Sequence, residues 1–180
     1  MKKRHIVGAL ALVGVGVILS SCSSKKTIPE KAKAVQDFDK SKYLGKWYEI
    51  ARLDFKFEEG LNNTTADYSL MKSGKIKVVN KGYDVEKDKW KKSTGKAKFV
   101  GNENVAMLKV SFFGPFYAGY NVIAIDEDYK YALIAGDSLD NLWILSREKS
   151  IPLEITSEYM KIAEEIGYNT ADLIWVQHTK

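Results

Sequence analysis

Histidine, cysteine and proline are scarce in this 180-residue chain, and each scarcity removes a class of chemistry. Two histidines, His5 and His178, leave almost nothing from which to build a histidine-activated nucleophile or a histidine-rich metal centre. The single cysteine, Cys22, excludes a disulfide within the chain and any cluster of thiolate ligands. Only three prolines, beside 45% hydrophobic and 12% aromatic residues, argue against a disordered chain and for a domain with a real core. Long apolar runs are absent too. The longest, Ile6 to Leu19, has 14 residues, short of the roughly 17–25 that a membrane-spanning helix needs.

What is present begins with an address. Met1 to His5 are basic, the apolar run follows, and Leu19-Ser20-Ser21-Cys22 closes it, which is the layout of a secretory signal. The last four residues resemble the lipobox of bacterial lipoproteins. That resemblance implies cleavage before Cys22, acylation of its thiol and usually of its new amine, and stable anchoring, since two or more acyl chains hold at about 0.8 kcal/mol per buried methylene. Ser23 stands where an aspartate would mark retention at the inner membrane, so the expected location is the outer membrane, lipid-anchored and facing the periplasm. The expected division is a signal peptide over 1–21, a lipidated N-terminus and flexible tether over 22–37, and one domain over 38–180. The tether reading rests on polar composition, Pro29 and the lack of a sustained apolar face.

The formal charge of +5 belongs mostly to the signal. Loss of Lys2, Lys3 and Arg4 leaves 25 basic against 23 acidic side chains, which removes nucleic acid as an expected partner.

From Trp47 onward, short aromatic and β-branched segments alternate with turn residues every 8–15 positions, the pattern of an all-β barrel or sandwich. Eight strands are predicted, at about 46–54, 64–71, 76–82, 94–100, 105–113, 119–125, 131–136 and 142–147, with the charged stretch 84–92 as a loop. A helix follows, opened by Pro152, striped by Ile155, Tyr159, Ile162, Ala163 and Ile166, and capped by Gly167. Leu173 to Gln177 reads as a ninth strand.

Gly45-Lys46-Trp47, Glu127-Asp128-Tyr129 and the Arg147 that ends Trp143-Ile144-Leu145-Ser146-Arg147 resemble, in order, the three marks of the lipocalin family. Trp47-Tyr48-Glu49-Ile50-Ala51-Arg52 and Ser111-Phe112-Phe113-Gly114-Pro115-Phe116-Tyr117 are most similar to its bacterial outer-membrane lipoprotein branch and to apolipoprotein D. The fold implied is an all-β, eight-stranded antiparallel up-and-down barrel, a calyx, with one C-terminal α-helix and a short ninth strand. In such a barrel Trp47, Asp128-Tyr129 and Arg147 fall at one closed end, where the Arg147 guanidinium is expected over the Trp47 indole. Gly45, Trp47 and Arg147 are therefore expected to form a structural base. Glutamate at 127, where the family has threonine, leaves the hydrogen bonding of that turn open.

Alternation along each strand places Ala66, Tyr68 and Leu70 on one face of the second, Ile76, Val78 and Asn80 on one face of the third, Leu108, Val110 and Phe112 on one face of the fifth, and Trp143 and Leu145 inward with Arg147. Glu49 and Ala51 share parity with Trp47. The resemblance puts Tyr68, Asn80, Tyr117 and Trp143 on the calyx wall, with Phe112 beside them. The expected ligand is a fatty acid or lysophospholipid, stored or transferred, with no cofactor, no metal and no catalytic residue; the membrane is met through acylated Cys22, and homodimerisation is left open. Two alternatives carry other readings. One is a lipid-anchored interaction scaffold. The other is an ester hydrolase, since Gly136-Asp137-Ser138-Leu139 spells the block of a hydrolase family, although His178 lacks that family's Asp-x-x-His context.

Overall fold

The computed structural model describes residues 27–53 and 55–180. The expected signal peptide over 1–21, Cys22, residues 23–26 and Asp54 lie outside the described residues. A short helix, α1 (Lys40–Tyr43), leads into eight strands: β1 (Gly45–Leu53), β2 (Leu61–Leu70), β3 (Ile76–Asp84), β4 (Lys89–Phe99), β5 (Met107–Ser111), β6 (Ala118–Ile125), β7 (Tyr131–Ala135) and β8 (Leu142–Ser146). Each pairs antiparallel with the next, and β1 pairs with both β2 and β8, which closes the barrel. The predicted charged loop is mostly strand. Only residues 85–88 turn, and Lys89 to Lys92 continue the ladder opposite Lys81 to Asp84, because a charged side chain is tolerated wherever the outer face of a strand is solvated.

Helix α2 (Leu153–Ile166) ends at Gly167, whose φ of +116° requires a residue without a Cβ. Its buried Tyr159 and Ala163 cover the outside of the barrel and pack with Ile50, Leu133, Leu142 and Ile144. A second core fills the barrel, built on Trp47, Tyr68, Val78, Leu108, Val122 and Leu145. Strand β9 (Leu173–Trp175), shorter than predicted, adds to β1 at Ala51–Leu53, beyond the point where β1 leaves β2.

Three expectations are corrected. The register shifts between Glu49 and Ala51 opposite β8, so Ile50 and Ala51 both face the outer core, and Ala51 does not share the inward face of Glu49. Leu70, expected inward, is 54% exposed, because β2 outruns the barrel at that end. Residues 27–37 are not free tether. Val35 donates to Val122 O and accepts from Ala106 N, both at 2.9 Å, Phe38 N donates to Asn104 O at 2.8 Å, and Ala32 and Ala34 are buried. Backbone groups hold this strap, which is why its polar composition conceals it.

Candidate functional site

One end of the barrel is shut. Trp47 is fully buried, its Nε1 donates to Tyr43 O at 2.8 Å, and the Arg147 guanidinium stands 3.8 Å from its ring. Arg147 also donates from Nη1 to Lys46 O at 2.8 Å, from Nη2 to Lys42 O at 2.7 Å and Leu44 O at 3.0 Å, and from Nε to Tyr129 O at 3.2 Å. A planar, always-charged fork can stack and bridge in this way, and an ammonium cannot. Gly45, at φ +95°, passes under it: a Cβ there would lie 3.4 Å from Arg147 Nη1. The nearby turn is tied by Asp126 rather than by position 127, since the Asp126 carboxylate accepts from the backbone N–H of Asp128, Lys130 and Tyr131.

Above this base the barrel encloses a cavity of about 400 Å³. Ala66, Tyr68, Ile76, Val78, Asn80, Leu108, Val110, Phe112, Trp143 and Leu145 all line it, which brings together the inward sets of four strands apart from Leu70. Tyr117 borders it at the rim only, for its ring is capped by Lys98 and Lys109, at 5.0 and 5.6 Å, from the outer face of the wall.

The lining is apolar with three polar features. At the floor the Tyr120 hydroxyl bonds to those of Tyr43, at 2.5 Å, and Tyr68, at 2.7 Å. Burial pushes all three phenols up, so they stay neutral. Three hydroxyl protons serve two mutual bonds, so one donor is not used within the trio. Higher up, Asn80 lines the cavity, and its Oδ1 is buried without a hydrogen-bond partner among the described residues. Near the mouth, Glu49 pairs with Arg52 at 2.8 Å, and the Trp143 indole donates to Glu58 at 2.9 Å. Burial, joined by the charge of Glu58, pushes the Glu49 carboxyl up to about 8 against the pull of Arg52. Arg52 also donates to Glu58 O at 2.7 Å, tying the first mouth loop to β1.

Strand parity alone missed Arg52, because the bulge at Glu49 turns it inward. It missed the tyrosine trio as well, because Tyr43 precedes the first strand and nothing local places it below Tyr68. The open end is ringed by Phe55 and Phe57 from the β1–β2 loop and by Phe113 and Phe116 from the β5–β6 loop. Ser138 lies in an exposed loop and donates to Asp140 at 2.9 Å, while His178 is engaged by Glu49 O and the edge of Tyr48.

The family described as "Lipocalin-like domain" matches residues 38–178. The outer membrane lipoprotein Blc of Citrobacter freundii is 48% identical over 173 residues, covering 96% of this chain and 97% of that protein. Apolipoprotein D of Rattus norvegicus is 38% identical over 135 residues, 70% of this chain and 69% of its own. Among solved structures, insecticyanin from the tobacco hornworm Manduca sexta superposes with a TM-score of 0.67 over 83% of this chain and 85% of its own, at 20% identity, a likeness of fold.

Proposed function

The chain belongs to the lipocalin family, and from that premise we propose that it is a membrane-anchored carrier of an acyl-chain lipid, a fatty acid or lysophospholipid, held in the barrel and stored or passed on in the periplasm. The observation that carries this reading is the cavity itself: about 400 Å³, closed below, open above and apolar except for a few placed polar atoms. Sites for small hydrophobic ligands have this size and make-up, and each methylene moved from water into such a lining contributes about 0.8 kcal/mol. Tyr68, Asn80, Phe112 and Trp143 form the wall against which the chain lies, with Tyr117 at the rim. The spare tyrosine proton suits a lipid that brings its own polar atom. Gly45, Trp47 and Arg147 serve as the plug beneath it. Anchoring at Cys22 and an outer-membrane location follow from the lipobox and are supported by relatives named outer membrane lipoproteins.

No catalytic step is assigned, because a serine without a base is a poor nucleophile and His178 is held elsewhere. The test is extraction and mass spectrometry of lipid from the purified protein, together with displacement of a fluorescent fatty acid. Bound lipid and saturable displacement are expected. Absence of both would overturn the carrier reading and leave the barrel as a platform for a partner, whereas ester hydrolysis lost on Ser138→Ala would establish an enzyme.

A further inference from the structure

We infer that the mouth of the barrel docks on the phospholipid surface that carries the anchor, with Phe57, Phe113 and Phe116 entering the interface. This deepens the carrier reading and rests on its acylated Cys22.

The first observation is where the chain leaves the barrel. Thr27 O accepts a hydrogen bond from Asn121 Nδ2 at 2.6 Å, and a Cβ on Gly119 would fall 2.3 Å from that oxygen and 3.0 Å from Asp137. Gly119 stands near the start of β6, just after the mouth loop that carries Phe113 and Phe116, and Asp137 stands in the β7–β8 mouth loop. From Thr27 the strap descends to Phe38, which bonds to Asn104 in a loop at the base. The chain upstream of Thr27 therefore departs from the mouth end. Cys22 precedes Thr27 by five residues, which span at most roughly 17–18 Å when fully extended. The eight residues of β6 rise about 27 Å. An anchor on so short a leash is satisfied with the mouth against the membrane, whereas a base-down molecule would need the leash to retrace the strap.

The second observation is independent of the anchor. Of the eleven large hydrophobic side chains exposed among the described residues, six (Phe57, Val85, Trp90, Phe113, Phe116 and Leu139) lie on the four mouth loops or the residue or two beyond them. Phe57 and Phe113 are each 63% exposed yet lie 5.6 Å apart, so two loops share one aromatic crest, and Phe116 beside it is 79% exposed. Clustered apolar exposure of this kind marks a contact surface. Its chemistry is completed by the adjoining outer wall. On that wall Lys77 faces Lys96 and Lys98 faces Lys109, and Lys81 faces Lys92 where the pair also borders the cavity, like charges directly opposed across β3, β4 and β5 at a cost in stability. None of these six has an acidic partner within 4 Å among the described residues. An aromatic crest beside unneutralised cations fits an anionic phospholipid interface, where apolar groups sink about 5–10 Å and lysines meet headgroups. So placed, the cavity opens directly onto the source of its lipid.

The full chain, purified in its membrane-inserted form and reconstituted into phosphatidylethanolamine–phosphatidylglycerol vesicles, gives the test. With Cys22 acylated, Phe116→Cys or Glu127→Cys adds one free thiol for an environment-sensitive fluorophore, at the mouth or at the exposed β6–β7 turn of the base. Nitroxide placed high on the lipid acyl chains is expected to quench the mouth label about twofold or more and to leave the base label unchanged. Lys56→Cys repeats the measurement in the other loop with all three phenylalanines present. Equal quenching at mouth and base, or none at either, overturns the docking. A mouth label shielded in detergent without vesicles, increasingly so with protein concentration, assigns the crest to a second copy and overturns it too. The mass of the N-terminal peptide separates the failures: an unmodified Cys22 removes the anchor and the docking together, while an acylated Cys22 with a water-exposed mouth removes the docking alone.

Discussion

Replacing Trp47 with alanine tests whether the closed end is a structural plug or part of the ligand site. Trp47 is fully buried, stacked beneath Arg147 at 3.8 Å, 4.9 Å from the Tyr43 ring and hydrogen-bonded to Tyr43 O. Truncating a buried tryptophan to alanine costs about 3–5 kcal/mol. Within that figure the guanidinium stack contributes about 0.5–2 kcal/mol and the indole hydrogen bond about 1 kcal/mol. For a domain of this size each kcal/mol moves Tm by about 2–4 °C, so a fall of roughly 6–20 °C is expected. The stack is isolated by a double-mutant cycle of Trp47→Phe with Arg147→Met, read by urea unfolding followed by circular dichroism, with a coupling of about 0.5–2 kcal/mol. Affinity for a fluorescent fatty acid, measured well below the lowered Tm, should change little, because the tyrosine trio separates Trp47 from the ligand space. A loss below about 1 kcal/mol in Trp47→Ala, or a coupling indistinguishable from zero, would refute the plug. Lost affinity at unchanged stability would move the ligand down onto the base.

Other expectations follow from the same geometry. Trp143→Ala removes an indole from the cavity wall and its bond to Glu58; fluorescence titration should show roughly tenfold weaker lipid binding, about 1.4 kcal/mol, with a smaller stability loss than Trp47→Ala. Glu49 binds a proton in the folded state up to about pH 8, whereas the unfolded chain loses it near 4.5, so stability should fall as pH rises through that window. Glu49→Gln should flatten the slope seen by denaturant unfolding at pH 5 and pH 8, and an unaltered slope would assign it to another group. Gly119→Ala places a methyl where Thr27 O now sits, so trypsin should cut at Lys31 and Lys33 at least several-fold faster. An unchanged cleavage rate would show that the strap is not held there.

Much of the fold was legible because its signals are local. Turn residues punctuated the strands, Pro152 and Gly167 bracketed the helix, and alternation assigned Tyr68, Asn80, Leu108, Phe112 and Trp143 to the face that now lines the cavity. Alternation failed at Ala51 and Arg52, where one bulge reverses the faces without any mark in residue type.

By itself the sequence determined the succession of strands, most of the inward sets and, once the family resemblance implied a closed antiparallel barrel of eight strands, the pairing of Trp47 with Arg147 across a hundred residues, since such a barrel leaves only one end where both can lie. Tertiary structure alone decided the rest. The tyrosine trio joins hydroxyls from before β1, from β2 and from β6, and the strap is held by backbone groups of Val35 and Phe38 that no side-chain pattern advertises. Both depend on hydrogen bonds closed between distant segments, whose partners exist only once the barrel has formed.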